Sequence, residues 1–254
     1  MTEAQLRQTS TADDYADAVL RQQGERLDSA GDVAPHSLAG IASDGRPLPS
    51  LLFHPVITTK RAIGLGASVD RAMALGQAHL EAIVRTQVSD AGRVADGIAV
   101  ATRNAEWVRV IYGETCSRCI LLAGRVYSWK ADFQRHPGCD CYAIPTTSEH
   151  DARAMGLTAD PLEYFRSLSK DEQDRIFTKD GAQAIREGAD MGQVVNARKG
   201  MSAAGTTTTG TTRFGTAGRR LKGAVRLMPE RIYEIANGDH DEAVRLLRQH
   251  GYIL

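Results

Sequence analysis

From Ser68 onwards, apolar residues recur at three- and four-residue steps: Met73, Leu80, Val84, Val88, Ala91, Val94 and Ile98. This spacing predicts one continuous helix of about thirty residues, longer than the ~8–20 usual in globular domains. Gly92 and Gly97 mark places where it would bend or end. The period then switches to two. Trp107-Val108-Arg109-Val110-Ile111-Tyr112 and Arg125-Val126-Tyr127-Ser128-Trp129 alternate as half-buried strands do, and Tyr142-Ala143-Ile144 supplies a third. Ahead of the long helix, residues 11–30 carry a rough stripe of Tyr15, Val19 and Leu27 behind a Thr11–Asp14 capping pair, which predicts an amphipathic helix. Residues 31–67 are broken by Pro35, Pro47, Pro49 and Pro55 and predict a long connection with one short extended piece, Leu51-Leu52-Phe53.

Beyond Pro145 the signals are helix caps. Asp160-Pro161-Leu162-Glu163 places an N-cap, a first-turn proline and an acidic third residue in order. Ser169-Lys170-Asp171-Glu172 is a full capping box, and Thr178 can cap a following helix that Gly188 ends. Pro229 opens a helix ending near Asn237-Gly238, Asp239 to Glu242 opens a last one, and Tyr252-Ile253-Leu254 is expected to dock. Residues 191–229 differ. They hold seven basic residues (Arg198, Lys199, Arg213, Arg219, Arg220, Lys222 and Arg226), seven glycines and no acid, which predicts a flexible basic loop.

Composition changes this picture little. Apolar content of 42% and charged content of 24% describe a globular chain with enough residues for a real core. Net charge is zero, so no global field argues for nucleic acid or a membrane surface, and no apolar run reaches the ~18 residues of a membrane helix. The N-terminus, MTEAQLRQTSTADD, has no apolar signal segment, so a reducing compartment is expected.

The candidate chemistry is concentrated in one window. All four cysteines fall in Cys116-x2-Cys119-x16-His136-x2-Cys139-x-Cys141. Two residues between ligands let a tight knuckle aim both side chains at one point, and thiolate and imidazole donors select Zn²⁺ over hard cations. Cys116, Cys119, His136 and Cys139 are the first choice of ligands, with Cys141 as the alternate for Cys139 or His136. Four protein ligands make a structural zinc site rather than a catalytic one. Paired disulfides or plain buried thiols are the alternatives. The fold class expected is α+β and mostly helical: a small antiparallel sheet pinned by the zinc knuckles, flanked by the long helix and a C-terminal helical region. The segments are 1–67, 68–105, 106–150 (the zinc-binding core) and 151–254.

The knuckles, together with Leu122-Ala123-Gly124-Arg125-Val126-Tyr127 and His136-Pro137, resemble the core of the phage Mu F-like minor head proteins. Ser117-Arg118-Cys119, Arg135-His136-Pro137, Gln193-Val194-Val195-Asn196-Ala197-Arg198 and Met228-Pro229-Glu230-x-Ile232-Tyr233 extend the similarity to the minor capsid proteins of actinobacterial tailed phages. It spans roughly residues 45–254, with Ala123, Gly138 and Asp140 departing from the broader pattern. The resemblance implies a virion component without enzymatic activity, made in the host cytoplasm and sitting inside the head near the portal. Its partners would be portal or major capsid protein, with packaged DNA reached through the basic residues; no membrane and no small-molecule substrate are implied.

Two other classes compete. A zinc-ribbon nucleic-acid binder would use the knuckles beside the basic loop, but the zero net charge and single ribbon weigh against it. A zinc-dependent deaminase would need H-x-E followed by P-C-x-x-C. His79-Leu80-Glu81 supplies the first part, whereas Thr115 stands where the proline belongs. Glu149-His150-Asp151 lies at a helix start and suits capping rather than catalysis.

Overall fold

The computed structural model describes residues 1–113, 115–131, 133, 135, 139, 141–212 and 214–253. In chain order the elements begin with α1 (Thr2–Thr9), α2 (Ala12–Gln22), α3 (Pro35–Leu38), α4 (Leu48–Leu52), α5 (His54–Gly64) and α6 (Val69–Thr102). Then come β1 (Glu106–Ile111), α7 (Ser117–Leu122), β2 (Val126–Ser128), β3 (Cys141–Thr146), α8 (Glu149–Ala154), α9 (Pro161–Ser167) and α10 (Lys170–Phe177). The chain continues through α11 (Lys179–Arg186), α12 (Met191–Ala197), β4 (Thr206–Thr207), α13 (Thr216–Leu221), β5 (Arg226–Leu227), α14 (Pro229–Ala236) and α15 (His240–Gln249). It is a mostly helical α+β protein with a small antiparallel sheet, as the sequence pattern predicts. Its contacts group into two units: residues 1–112 with 124–158, and residues 113–123 with 159–254.

The first unit is built on α6. Ser68 caps it, the hydroxyl accepting from the Arg71 N–H at 3.4 Å. The helix runs unbroken through Gly92 and Gly97, where the sequence suggested a bend or an end. At Gly92 the missing side chain is used for packing, since a Cβ there would lie 2.6 Å from the Gln8 side chain of α1. The buried face is also not the expected stripe. Of its seven members only Ala91 is buried, while Met73 is 59% and Val94 48% exposed. The buried positions are instead mostly small, with Ala72, Gly76, Ala91, Ala95 and Ala99 among them. Small residues let α1, α2 and α5 approach the α6 backbone closely, and that geometry outweighs the larger transfer energy of the big side chains.

Residues 11–30 form a shorter helix than expected, ending at Gln22, and Thr11 caps it without a side-chain hydrogen bond. Arg103, at the end of α6, donates to Asp17 at 2.8 Å and to Asp13 at 2.9 Å. The expected extended piece within residues 31–67 is corrected to helix: α3, α4 and α5 occupy this stretch, each with a proline in its first turn. There the missing N–H needs no partner, so proline starts a helix rather than breaking one. The buried amides of Gln5 and Gln87 satisfy the loop between α3 and α4, Gln5 accepting from Gly40 N–H at 2.9 Å and Gln87 from Ser43 N–H at 2.7 Å.

The sheet has the order β2-β1-β3, all antiparallel, with Trp107 opposite Tyr127 on one side and Pro145 on the other. Trp107 stacks on Tyr127 at 4.3 Å between ring centroids and meets Phe133 at 5.2 Å. Trp107, Val100, Ala105 and Ala143 form the core beneath it.

Asp96 of α6 is pushed up to about 6 by burial, against the pull of Arg93, and burial with Asp96 next raises Tyr15 to about 12. The Asp96 carboxyl therefore holds its proton more tightly folded than unfolded, so its penalty appears as pH rises from about 4 to about 6. Asp96→Asn should raise stability at pH 8 by up to about 3 kcal/mol and leave it unchanged at pH 4. Urea melts at the two pH values measure this directly.

In the second unit the caps fall where the sequence places them. Asp160 accepts from the N–H groups of Leu162 and Glu163, Ser169 and Glu172 close a reciprocal box, and Thr178 accepts from Gly181 N–H. Asn237 ends α14 in the left-handed conformation, Asp239 caps α15, and Tyr252 docks fully buried with its hydroxyl donating to Leu227 O at 2.9 Å. The expected flexible loop at 191–229 is corrected: it contains α12, a 3-10 turn at Arg198–Gly200, the β4–β5 pair and α13. Two of its glycines are steric necessities there. A Cβ at Gly215 would lie 2.3 Å from the Gly210 carbonyl, and one at Gly218 2.0 Å from that of Thr212.

Candidate metal centre

Cys116 is the N-cap of α7, its sulfur accepting from Cys119 N–H at 3.4 Å. That one-turn closure is the knuckle the C-x2-C spacing predicts, and α7 packs on α9 and α12. Cys119 is 3% exposed. Cys139 and Cys141 are both buried, and Cys141 opens β3 opposite Ile111.

The carbonyls of this second pair are gripped by one guanidinium. Arg93 donates through Nε to Cys141 O at 3.0 Å and through Nη2 to Cys139 O at 3.1 Å. Burial, and next the neighbouring Arg135 charge, pull Arg93 below its ordinary value, while Cys141, Asp90 and Cys139 oppose that shift. Arg109 donates to the Cys141 sulfur at 3.2 Å, and its guanidinium lies 4.1 Å from the centre of the Phe133 ring. Arg135 pairs with Asp90 and donates to Thr86 O at 3.1 Å. Of these arginines only Arg135 belongs to a sequence motif: Arg93 lies between Ala91 and Val94 of the apolar stripe, and no spacing rule links it to a cysteine 46 residues away.

The sulfurs of Cys116, Cys119 and Cys139 lie within 4.8 Å of one another, and that of Cys141 is 3.7 Å from Cys139. This cluster could hold a metal ion. Thiolates are the donors that a soft ion such as Zn²⁺ selects, so the donor set fits that class of metal. Cys141, the alternate ligand, accepts from Arg109. His136 lies outside the described residues.

The basic set divides. Arg226 is fully buried. Arg198 pairs with Glu230 at 2.6 Å, and Arg220 donates to the carbonyls of Arg248 and Ile253. Lys199, Arg219, Arg220 and Lys222 are exposed, and Arg213 lies outside the described residues. A surface role for Arg226 is therefore corrected. His79, the residue a deaminase would need, sits inside α6 with Nδ1 2.7 Å from the Thr58 hydroxyl. A cleft of 720 Å³ in the first unit is lined by Trp107, Phe133, Arg93, Arg135 and Asp90, and this acid is taken up by Arg135.

A model of the family described as VG15 protein matches residues 59–169. The span is under half of the chain, runs from α5 to the end of α9 and takes in the sheet and every cysteine. The match supports a viral, phage-derived protein. Nothing among curated proteins or solved structures matches the chain. Among the described residues, no helix is long and apolar enough to cross a membrane.

Proposed function

We propose that this chain is a structural minor capsid protein of a tailed phage, acting in head morphogenesis inside the head near the portal. A Zn²⁺ held by Cys116, Cys119, Cys139 and His136 would lock its central module. The observation that carries this reading is the cluster of cysteine sulfurs inside the stretch that matches a viral family. The sequence resemblance to minor head proteins points the same way. A site filled by four protein ligands supplies folding energy and leaves no position for an activated water, so a structural rather than catalytic role follows. The exposed Lys199, Arg219, Arg220 and Lys222 would meet an acidic surface of portal or major capsid protein, with packaged DNA as the further partner.

Two measurements test this together: elemental analysis of protein purified without chelator, and mass spectrometry of purified virions. The expected result is about one zinc per chain, as a single four-ligand site requires, with peptides of this chain in DNA-filled heads. Zinc below roughly a tenth of an equivalent would overturn the metal site. Absence from heads and proheads would overturn the structural role.

A further inference from the structure

The apolar stripe that α6 does not bury against its own chain has an order that suggests what covers it. Between Val69 and Val84 the stripe reads the same from both ends: Val69 and Val84, like Met73 and Leu80, are centred between Gly76 and Gln77. Val69 is 63%, Met73 59% and Leu80 40% exposed. On α5, Val56 and Ile63 stand seven residues apart on one line, 41% and 46% exposed, centred at Thr59-Lys60.

The two centres lie at the same level. A Cβ on Gly76 would fall 2.0 Å from the Thr59 hydroxyl, and Thr58 bonds His79, so α5 and α6 run antiparallel with Thr59 beside Gly76. In an antiparallel pair, turning away from the seam in one sense brings the Val56–Ile63 line and the Val69–Leu80 line to the same side. A single twofold axis through that level would set Val56 against the partner's Ile63, Val69 against Val84 and Met73 against Leu80.

We propose that this face of the α5–α6 hairpin is a twofold interface with a second copy of this chain, forming a four-helix bundle. Self-complementarity about one axis is the mark of an isologous contact, and an unrelated partner would not require it. The charges agree. Asp70 and Arg85, both exposed, flank the stripe on one side; the same axis sets Asp70 of each copy about 3 Å along the helix from Arg85 of the other, within reach of the long arginine side chain. The area suffices. Val56, Ile63, Val69, Met73, Leu80 and Val84 together offer on the order of 500 Å², so two copies would bury about the 1,000 Å² that a specific interface needs.

Sedimentation equilibrium of the full chain is the test. The wild type should be a dimer at micromolar concentration. Met73→Glu with Leu80→Glu should weaken dimerisation by at least about thirtyfold, the effect of losing a buried anchor. Because both side chains are exposed within the chain, far-UV circular dichroism and melting of the monomer should stay unchanged. Asp70→Arg alone should weaken the dimer, and adding Arg85→Asp should restore it. A monomeric wild type, or a dimer indifferent to Met73→Glu with Leu80→Glu, would overturn the proposal. Failure of the Asp70–Arg85 swap to rescue would overturn the antiparallel register.

Discussion

Cys119→Ser should reduce bound zinc from about one equivalent to less than a tenth and lower the melting temperature of the purified chain, because one thiolate of a four-ligand site is lost. Serine nearly matches cysteine in size, so the 3% exposed position keeps its packing and the effect reports ligation. Structural zinc sites carry apparent binding energies of about 10–16 kcal/mol, which exceeds the whole stability of many domains, so the loss should be large. Chelation of the wild type should reproduce the drop, and added zinc should reverse it for the wild type alone. Cys116→Ser and Cys139→Ser should behave like Cys119→Ser, since those three sulfurs share the cluster within 4.8 Å. Cys141→Ser should retain zinc, because its sulfur is not one of the three that cluster within 4.8 Å. Zinc lost in Cys141→Ser but kept in Cys139→Ser would exchange their roles.

The parts of this protein written in local chemistry were legible in advance. Strands β1 to β3 announce themselves by alternation, and Asp160, Ser169, Thr178 and Asp239 cap the helices their spacing predicts. The C-x2-C knuckle is equally local, closed by a bond between residues three apart. What failed depends on partners distant in sequence. The buried face of α6 is decided by how closely other helices approach Ala95 and Ala99, and alanine carries almost no hydrophobic signal in a periodicity count. The larger Met73 and Leu80 dominate that count although they face outwards. Prolines at 35, 49 and 55 look alike as breakers and as first-turn residues until the following turn is seen. The Gly- and Thr-rich 191–229 stretch looks like a loop for the same reason. Gly215 and Gly218 mark close backbone approaches, and Arg226, which composition makes look like a surface charge, is fully buried.

Arg226→Ala should be among the most damaging single substitutions in the second unit, at about 3–5 kcal/mol. The side chain is fully buried. Nε donates to His250 O at 2.9 Å, Nη1 to Thr209 O at 2.8 Å and Nη2 to the Gln193 side chain at 3.1 Å. Its guanidinium lies 4.2 Å from the Tyr252 ring centre, so one residue of β5 ties together α12, the 209 turn and the C-terminal segment. Burial pulls its pKa down, with the Tyr252 interaction opposing. Alanine would strand the buried His250 carbonyl and two half-buried acceptors, and open a cavity the size of the lost side chain. Arg226→Lys keeps the charge but not the planar fork, and one ammonium cannot reach acceptors on three sides, so it should recover only part of the loss. At about 4–8 °C per kcal/mol for a unit near 100 residues, Arg226→Ala should lower the melting temperature by well over 10 °C. Lys199→Ala and Lys222→Ala, both exposed, should shift it by less than about 0.5 kcal/mol. Calorimetry of the four proteins in the presence of zinc separates the cases. Equal, small shifts in all four would mean that the guanidinium does not organise this unit.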